Sequence, residues 1–91
     1  MAEEIDYGMV GRALIHETQR AILEALASED TGYATSPTRF AQEHKLKLGP
    51  VAYHFGSLAK RGWITLARTV QRRGAVEHYY SLSDSARVGS A

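Results

Sequence analysis

The chain has no cysteine, and that one absence removes disulfides, thiolate zinc sites, iron–sulfur clusters and cysteine nucleophiles together. No apolar run approaches the roughly 18 residues that a membrane span needs. The opening Met1-Ala2-Glu3-Glu4 is acidic where a secretory leader would be basic, so a cytoplasmic protein with no membrane partner is expected. The common catalytic signatures are missing as well: there is no Gly-x-Ser-x-Gly elbow and no phosphate-binding loop. His16-Glu17 opens like a zinc-protease helix, but its second histidine would fall on Arg20. The other histidines, His44, His54 and His78, show no tight ligand spacing. No enzyme, cofactor or metal is expected.

What is present suits one folded domain: 91 residues, 44% apolar and 23% charged, enough for a single core and too few for two. The net charge of +1 hides a division along the chain. Residues 1–38 hold two basic and seven acidic residues, or −5. Residues 39–79 hold eight basic and two acidic residues, or +6, which suggests one surface meant for a polyanion.

Residues 4–15 carry apolar positions at roughly helical spacing and predict a short first helix, weakened by Gly8 and Gly11. Thr18 is the expected cap of a second helix with Ile22, Leu23, Ala25 and Leu26 as its apolar stripe. After a polar loop at residues 28–32 and a short extended piece at Tyr33-Ala34-Thr35, Ser36-Pro37 supplies a capping oxygen and a proline at a helix start. This third helix turns Phe40 and Ala41 inward and runs out near His44-Lys45. A fourth helix is expected over about residues 49–61, with Val51, Phe55, Leu58 and Ala59 facing inward and Gly62 as its stop. From Trp63 to Val70 the residues are β-branched and aromatic, with Ile64 and Leu66 on one face. Gln71-Arg72-Arg73-Gly74 predicts a basic turn, and Ala75 to Leu82 a returning strand. Residues 1–83 then form the domain and residues 84–91 a flexible tail.

Two helices joined tightly near Lys45-Leu46-Lys47 and followed by a hairpin read as an α+β winged helix-turn-helix: about four helices, then a two-stranded wing. From Leu14 to Ser83 the sequence resembles the ArsR-type winged-helix transcriptional regulators. The likeness is carried by Leu14-Ile15-His16-Glu17-Thr18-Gln19-Arg20-Ala21-Ile22-Leu23, Phe40-Ala41, Val51-Ala52-Tyr53-His54-Phe55, Leu58-Ala59-Lys60-Arg61-Gly62-Trp63-Ile64 and Tyr79-Tyr80-Ser81-Leu82. Three departures stand out. Lys45 occupies the place of a turn glycine, so either it takes positive φ or the turn differs; the metal-sensing ligands are missing; and no dimerising helix follows Leu82.

The resemblance implies double-stranded DNA as partner and a homodimer through the N-terminal helices. It places Lys47, Leu48, Gly49, Ala52 and Tyr53 toward the major groove. Arg39, Lys47, Lys60, Arg68, Arg72 and Arg73 become phosphate ligands, with Thr38 and Tyr53 as neutral donors. The alternative is a winged helix used as a protein-interaction module, favoured by the bland groove-facing set and the acidic N-terminal portion. Tyr79 and Tyr80 alternate, so one of them is expected inside, and Trp63 is expected to anchor the strand start.

Overall fold

A computed structural model describes residues 4–5, 16–27 and 33–88. Helix α1 spans Glu17–Ala27, and its periodic Ile22, Leu23 and Leu26 are buried. His16, rather than Thr18, begins it. The Thr18 N–H donates to His16 Nδ1 at 3.0 Å and the Arg20 N–H to the His16 carbonyl at 3.0 Å, which satisfies donors that a helix start leaves free. Helix α2 (Pro37–His44) starts as its sequence predicts: Ser36 is extended, its Oγ accepts from the Arg39 N–H at 3.1 Å, and Pro37 opens the first turn. Helix α3 (Leu48–Lys60) begins one residue before the expected start, with Pro50 in its first turn, where a missing N–H costs nothing.

Both α2 and α3 end in the same motif. After α3, the Gly62 N–H reaches the Ala59 carbonyl and the Trp63 N–H reaches Leu58, with Gly62 at φ +79°. After α2, the Lys45 N–H reaches Gln42 and the Leu46 N–H reaches Ala41, with Lys45 at φ 56°, ψ 45°. The question left by the missing glycine is thereby answered: the turn keeps its shape and Lys45 adopts the left-handed conformation, which disfavours a side chain bearing Cβ.

Here β1 is Glu4–Ile5, β2 Ile64–Arg72, β3 Ala75–Leu82 and β4 Arg87–Val88. Strands β2 and β3 form an antiparallel hairpin from Ile64↔Leu82 to Arg72↔Ala75, so the turn narrows from the expected four residues to Arg73-Gly74, with Gly74 at φ +72°. A bulge lies between Leu66, opposite Tyr80, and Arg68, opposite Tyr79. It hands the role of inner residue across the two tyrosines. Tyr80 packs on Phe55 (ring centroids 5.7 Å apart) beside the buried Leu82, and Tyr79 is itself buried on the other face of the strand. Leu66 is half exposed rather than sharing the burial of Ile64.

Two expectations are corrected at the chain's ends. Among the described residues there are three helices, not four, since Glu4–Ile5 is a strand paired with β4 where the first helix was expected to begin. Residues 6–15, the remainder of that expected helix, lie outside the described residues. Secondary structure also continues past Ser83, where the sequence suggested a loose tail: Asp84–Ala86 forms a 3-10 turn, and Ala86 is wholly buried in the core.

That core joins Ile22, Leu23, Leu26, Phe40, Val51, Phe55, Leu58, Trp63, Ile64 and Leu82, with Phe40 and Phe55 meeting edge to face at 5.9 Å. Trp63 anchors the strand start as expected, its carbonyl accepting from the Ser83 N–H and Oγ. Thr35 forms an isolated bridge with Tyr80 on the free side of β3, through N–H···O bonds of 3.0 and 2.8 Å. The result is a small α+β domain of three helices and an antiparallel hairpin, an arrangement compatible with a winged helix. Replacing Lys45 by glycine should relieve the left-handed strain and raise stability by about 0.5–1 kcal/mol in urea unfolding. An unchanged or lower midpoint would show that the lysine side chain holds the turn.

Candidate nucleic-acid interface

Between Glu43 and Glu77 the chain runs for 33 residues without an acidic side chain and carries seven cations: Lys45, Lys47, Lys60, Arg61, Arg68, Arg72 and Arg73. These residues make the connection after α2, the whole of α3, all of β2 and the hairpin turn. The fold therefore gathers the charge into adjoining elements.

On α3 the inward turn of Val51, Phe55 and Leu58 leaves Leu48, Gly49, Ala52, Tyr53, Gly56 and Lys60 exposed. Tyr53 is the most open large side chain there, 72% exposed. His54, its neighbour, turns instead toward α1. Gln19, a buried residue of α1, donates from Nε2 to His54 Nδ1 at 3.0 Å, and the rings of His54 and His16 stack at 4.3 Å. Partial burial, and then the nearby His16, push the His54 imidazole below its ordinary value, the direction that suits an Nδ1 accepting from Gln19. His54 thus ties α1 to the back of α3.

The expected phosphate ligands separate into two groups. Lys47 stands exposed at the start of α3 and Lys60 at its last residue, about 20 Å along the axis. Arg73 is exposed in the hairpin turn, and the Arg68 guanidinium lies over the Tyr79 ring at 4.4 Å. The other two have carboxylate partners. Arg39 pairs with Glu43 one turn on at 3.1 Å, both well exposed, and Arg72 pairs with Glu77 at 2.8 Å. With Thr38, Gln42 and Tyr79, these two arginines border a surface groove of about 520 Å³ between α2 and β3. A second groove, about 320 Å³, runs between α3 and β3 and is lined by Leu48, Ala52, Gly56, Val76, His78 and Tyr80 among others.

Glu77 is the residue that sequence reasoning missed. One carboxylate oxygen accepts from the wholly buried Ser36 hydroxyl, and the other accepts from Arg72 Nε at 2.8 Å. The Ser36 oxygen is meanwhile the cap of α2, so one hydroxyl joins a helix start to the outer half of the hairpin. Its signal in the sequence is faint but real: Glu77 is the sole acid in an otherwise basic hairpin. Val76 and Gly56 were missed too, because only the packed fold sets them beside Leu48 and Ala52.

Among the described residues no group of three or more histidine, aspartate or glutamate side chains is placed to hold a metal ion. No helix among them is long and apolar enough to cross a membrane. Neither a protein-family model nor a curated protein sequence matches the chain.

The hydroxyl of Ser36 and the guanidinium of Arg72 hold the Glu77 carboxyl below the ordinary carboxylate range. A carboxyl lowered in the folded state contributes stability that is complete above its unfolded value, about 4.3, and is lost as pH falls through the folded value. Glu77→Gln should therefore be less stable than the parent at neutral pH, with the gap closing in strong acid. A gap that stays constant from neutral pH down to about pH 2 would contradict the ionic role of Glu77.

Proposed function

We propose that this chain is a winged helix-turn-helix DNA-binding transcriptional regulator, with α3 entering the major groove and the β2–β3 hairpin acting as a wing on the backbone. The observation that carries the reading is the acid-free stretch from His44 to Val76, whose cations lie before α3, at its end and on the strand and turn that follow it. An α-helix about 10–12 Å across fits the major groove, and a two-residue turn bearing Arg73 is narrow enough to reach a flanking phosphate. Three helices and a hairpin in this order support the winged-helix identity, as does the resemblance to ArsR-type regulators.

The roles within the surface follow from the partners of each cation. Lys47, Lys60 and Arg73 make no ion pair among the described residues, and a phosphate neutralises each without breaking an internal contact. Arg39 sits in an exposed pair that water and salt already weaken, so exchanging Glu43 for a phosphate is easy. Arg72 is different: it braces Glu77, and its first task is to hold the hairpin. Thr38, which lines the groove beside α3, and the exposed Tyr53 supply hydroxyl donors.

Titration with random duplex at several salt concentrations tests the reading. Binding should weaken steeply with salt, and Lys47→Ala or Arg73→Ala should each make the slope of log K against log[salt] shallower by about one unit, with folding intact. No salt-sensitive duplex binding would overturn the proposal. The exposed Leu46, Leu48, Tyr53 and Val76 would then favour a protein-interaction module.

A homodimer through the segment before Leu26 belongs to the same proposal, because a single unit of this size covers one half-site and pairing matches the symmetry of a palindromic operator. Sedimentation at micromolar concentration should give a dimer. A monomer both alone and on a two-half-site duplex would remove this part of the proposal.

A further inference from the structure

We infer that α3 discriminates among DNA sequences through the C5-methyl groups of thymines, an inference that rests on the DNA-binding reading above and names what its helix selects. Bidentate hydrogen bonding to base edges needs Arg, Lys, Asn or Gln on the groove-facing side, and from Leu48 to Ala59 α3 contains none of these. Its polar residues in that span are Tyr53, His54 and Ser57. His54 is engaged by Gln19 and stacked on His16 at the back of the helix. The outward surface is left to Leu48, which is 48% exposed, and to Gly49, Ala52, Gly56 and the broad side of Tyr53. Val76 of β3, 46% exposed, lines a groove with Leu48, Ala52 and Gly56 of that surface.

A surface of this kind rewards apolar atoms, and in the major groove one base-edge group is apolar: the methyl on C5 of thymine. An apolar face alone would suit many partners, and its surroundings decide between them. Lys45 and Lys47 precede the face, Lys60 closes it, and Arg73 stands at the hairpin turn, with no acidic residue anywhere in α3 or β2. The one acid lining the groove, Glu77 of β3, is paired with Arg72, so the rim complements a polyanion rather than an apolar protein surface. Among nucleic acids, duplex RNA is disfavoured on two counts, because its major groove is deep and narrow and its uracil has no methyl.

The test starts from duplexes selected by the protein out of a random pool. The selected sequences should be enriched in thymine at the positions α3 covers. The same duplexes resynthesised with deoxyuridine for thymine keep every hydrogen-bonding group and lose only the methyls. Binding should weaken by about three- to fivefold for each methyl contacted, at unchanged salt slope. Leu48→Ala trims an exposed residue, so folding is kept, and the thymine-to-uracil ratio should fall toward one while binding to random duplex persists. If the thymine and uracil duplexes bind equally with the salt dependence intact, or if selection returns no thymine enrichment, the methyl inference is wrong and the DNA-binding reading stands. Should no duplex bind in a salt-sensitive way, both are overturned, and the groove belongs to another class of partner.

Discussion

The relative placement of the helices and the outer hairpin depends on the buried hydroxyl of Ser36. Its oxygen accepts the Arg39 N–H that starts α2, and its proton goes to Glu77 of β3. One residue earlier, Thr35 exchanges two backbone bonds with Tyr80. Two adjacent residues thus fasten the hairpin beside the bulge, while Tyr80 packing on Phe55 fastens it to the core. Without these links the outer half of the hairpin would be a two-stranded ribbon with little apolar burial, which is marginal by itself. With them, the turn carrying Arg73 is held at a set position relative to α3.

That rigidity gives meaning to the difference between paired and unpaired cations. An exposed pair one helical turn apart, such as Arg39–Glu43, is screened and easily exchanged. The Arg72–Glu77 pair has a carboxylate only 13% exposed and a second bond from a buried hydroxyl, so releasing Arg72 would strand a charge. Equal charges along a sequence are therefore unequal in the fold. On the proposed reading Lys47, Lys60 and Arg73 serve the DNA backbone, whereas Arg72 serves the wing's own geometry.

Where local chemistry decides, the fold was legible in advance. Ser36-Pro37 announces a helix start, Gly62 a stop, and the change of period after Trp63 a hairpin, and each is found where its chemistry puts it. The misreadings share a different cause. Pairing of Glu4–Ile5 with Arg87–Val88 joins two-residue strands from opposite ends of the chain, a contact with no local pattern to betray it. The bulge between Leu66 and Arg68 breaks an alternation that the residue types alone suggest is continuous. His16 as a helix start goes against ordinary capping preference, whereas the left-handed Lys45 is one of the two alternatives that the sequence left open. For the candidate interface, the cations and the exposed residues of α3 were readable from charge and period, but the partners that divide Arg72 from Arg73 were not.

The central claim is that α3 and the hairpin turn make one DNA-binding surface. Amide hydrogen exchange, read residue by residue with and without a duplex of about twenty base pairs at moderate salt, tests it most directly. The expected result is slowed exchange at the exposed start of α3 around Lys47 to Tyr53 and at Arg72 to Gly74, with the exposed side of α1 unchanged. Protection confined to α1, or none at all under conditions where the parent protein stays folded, would contradict it.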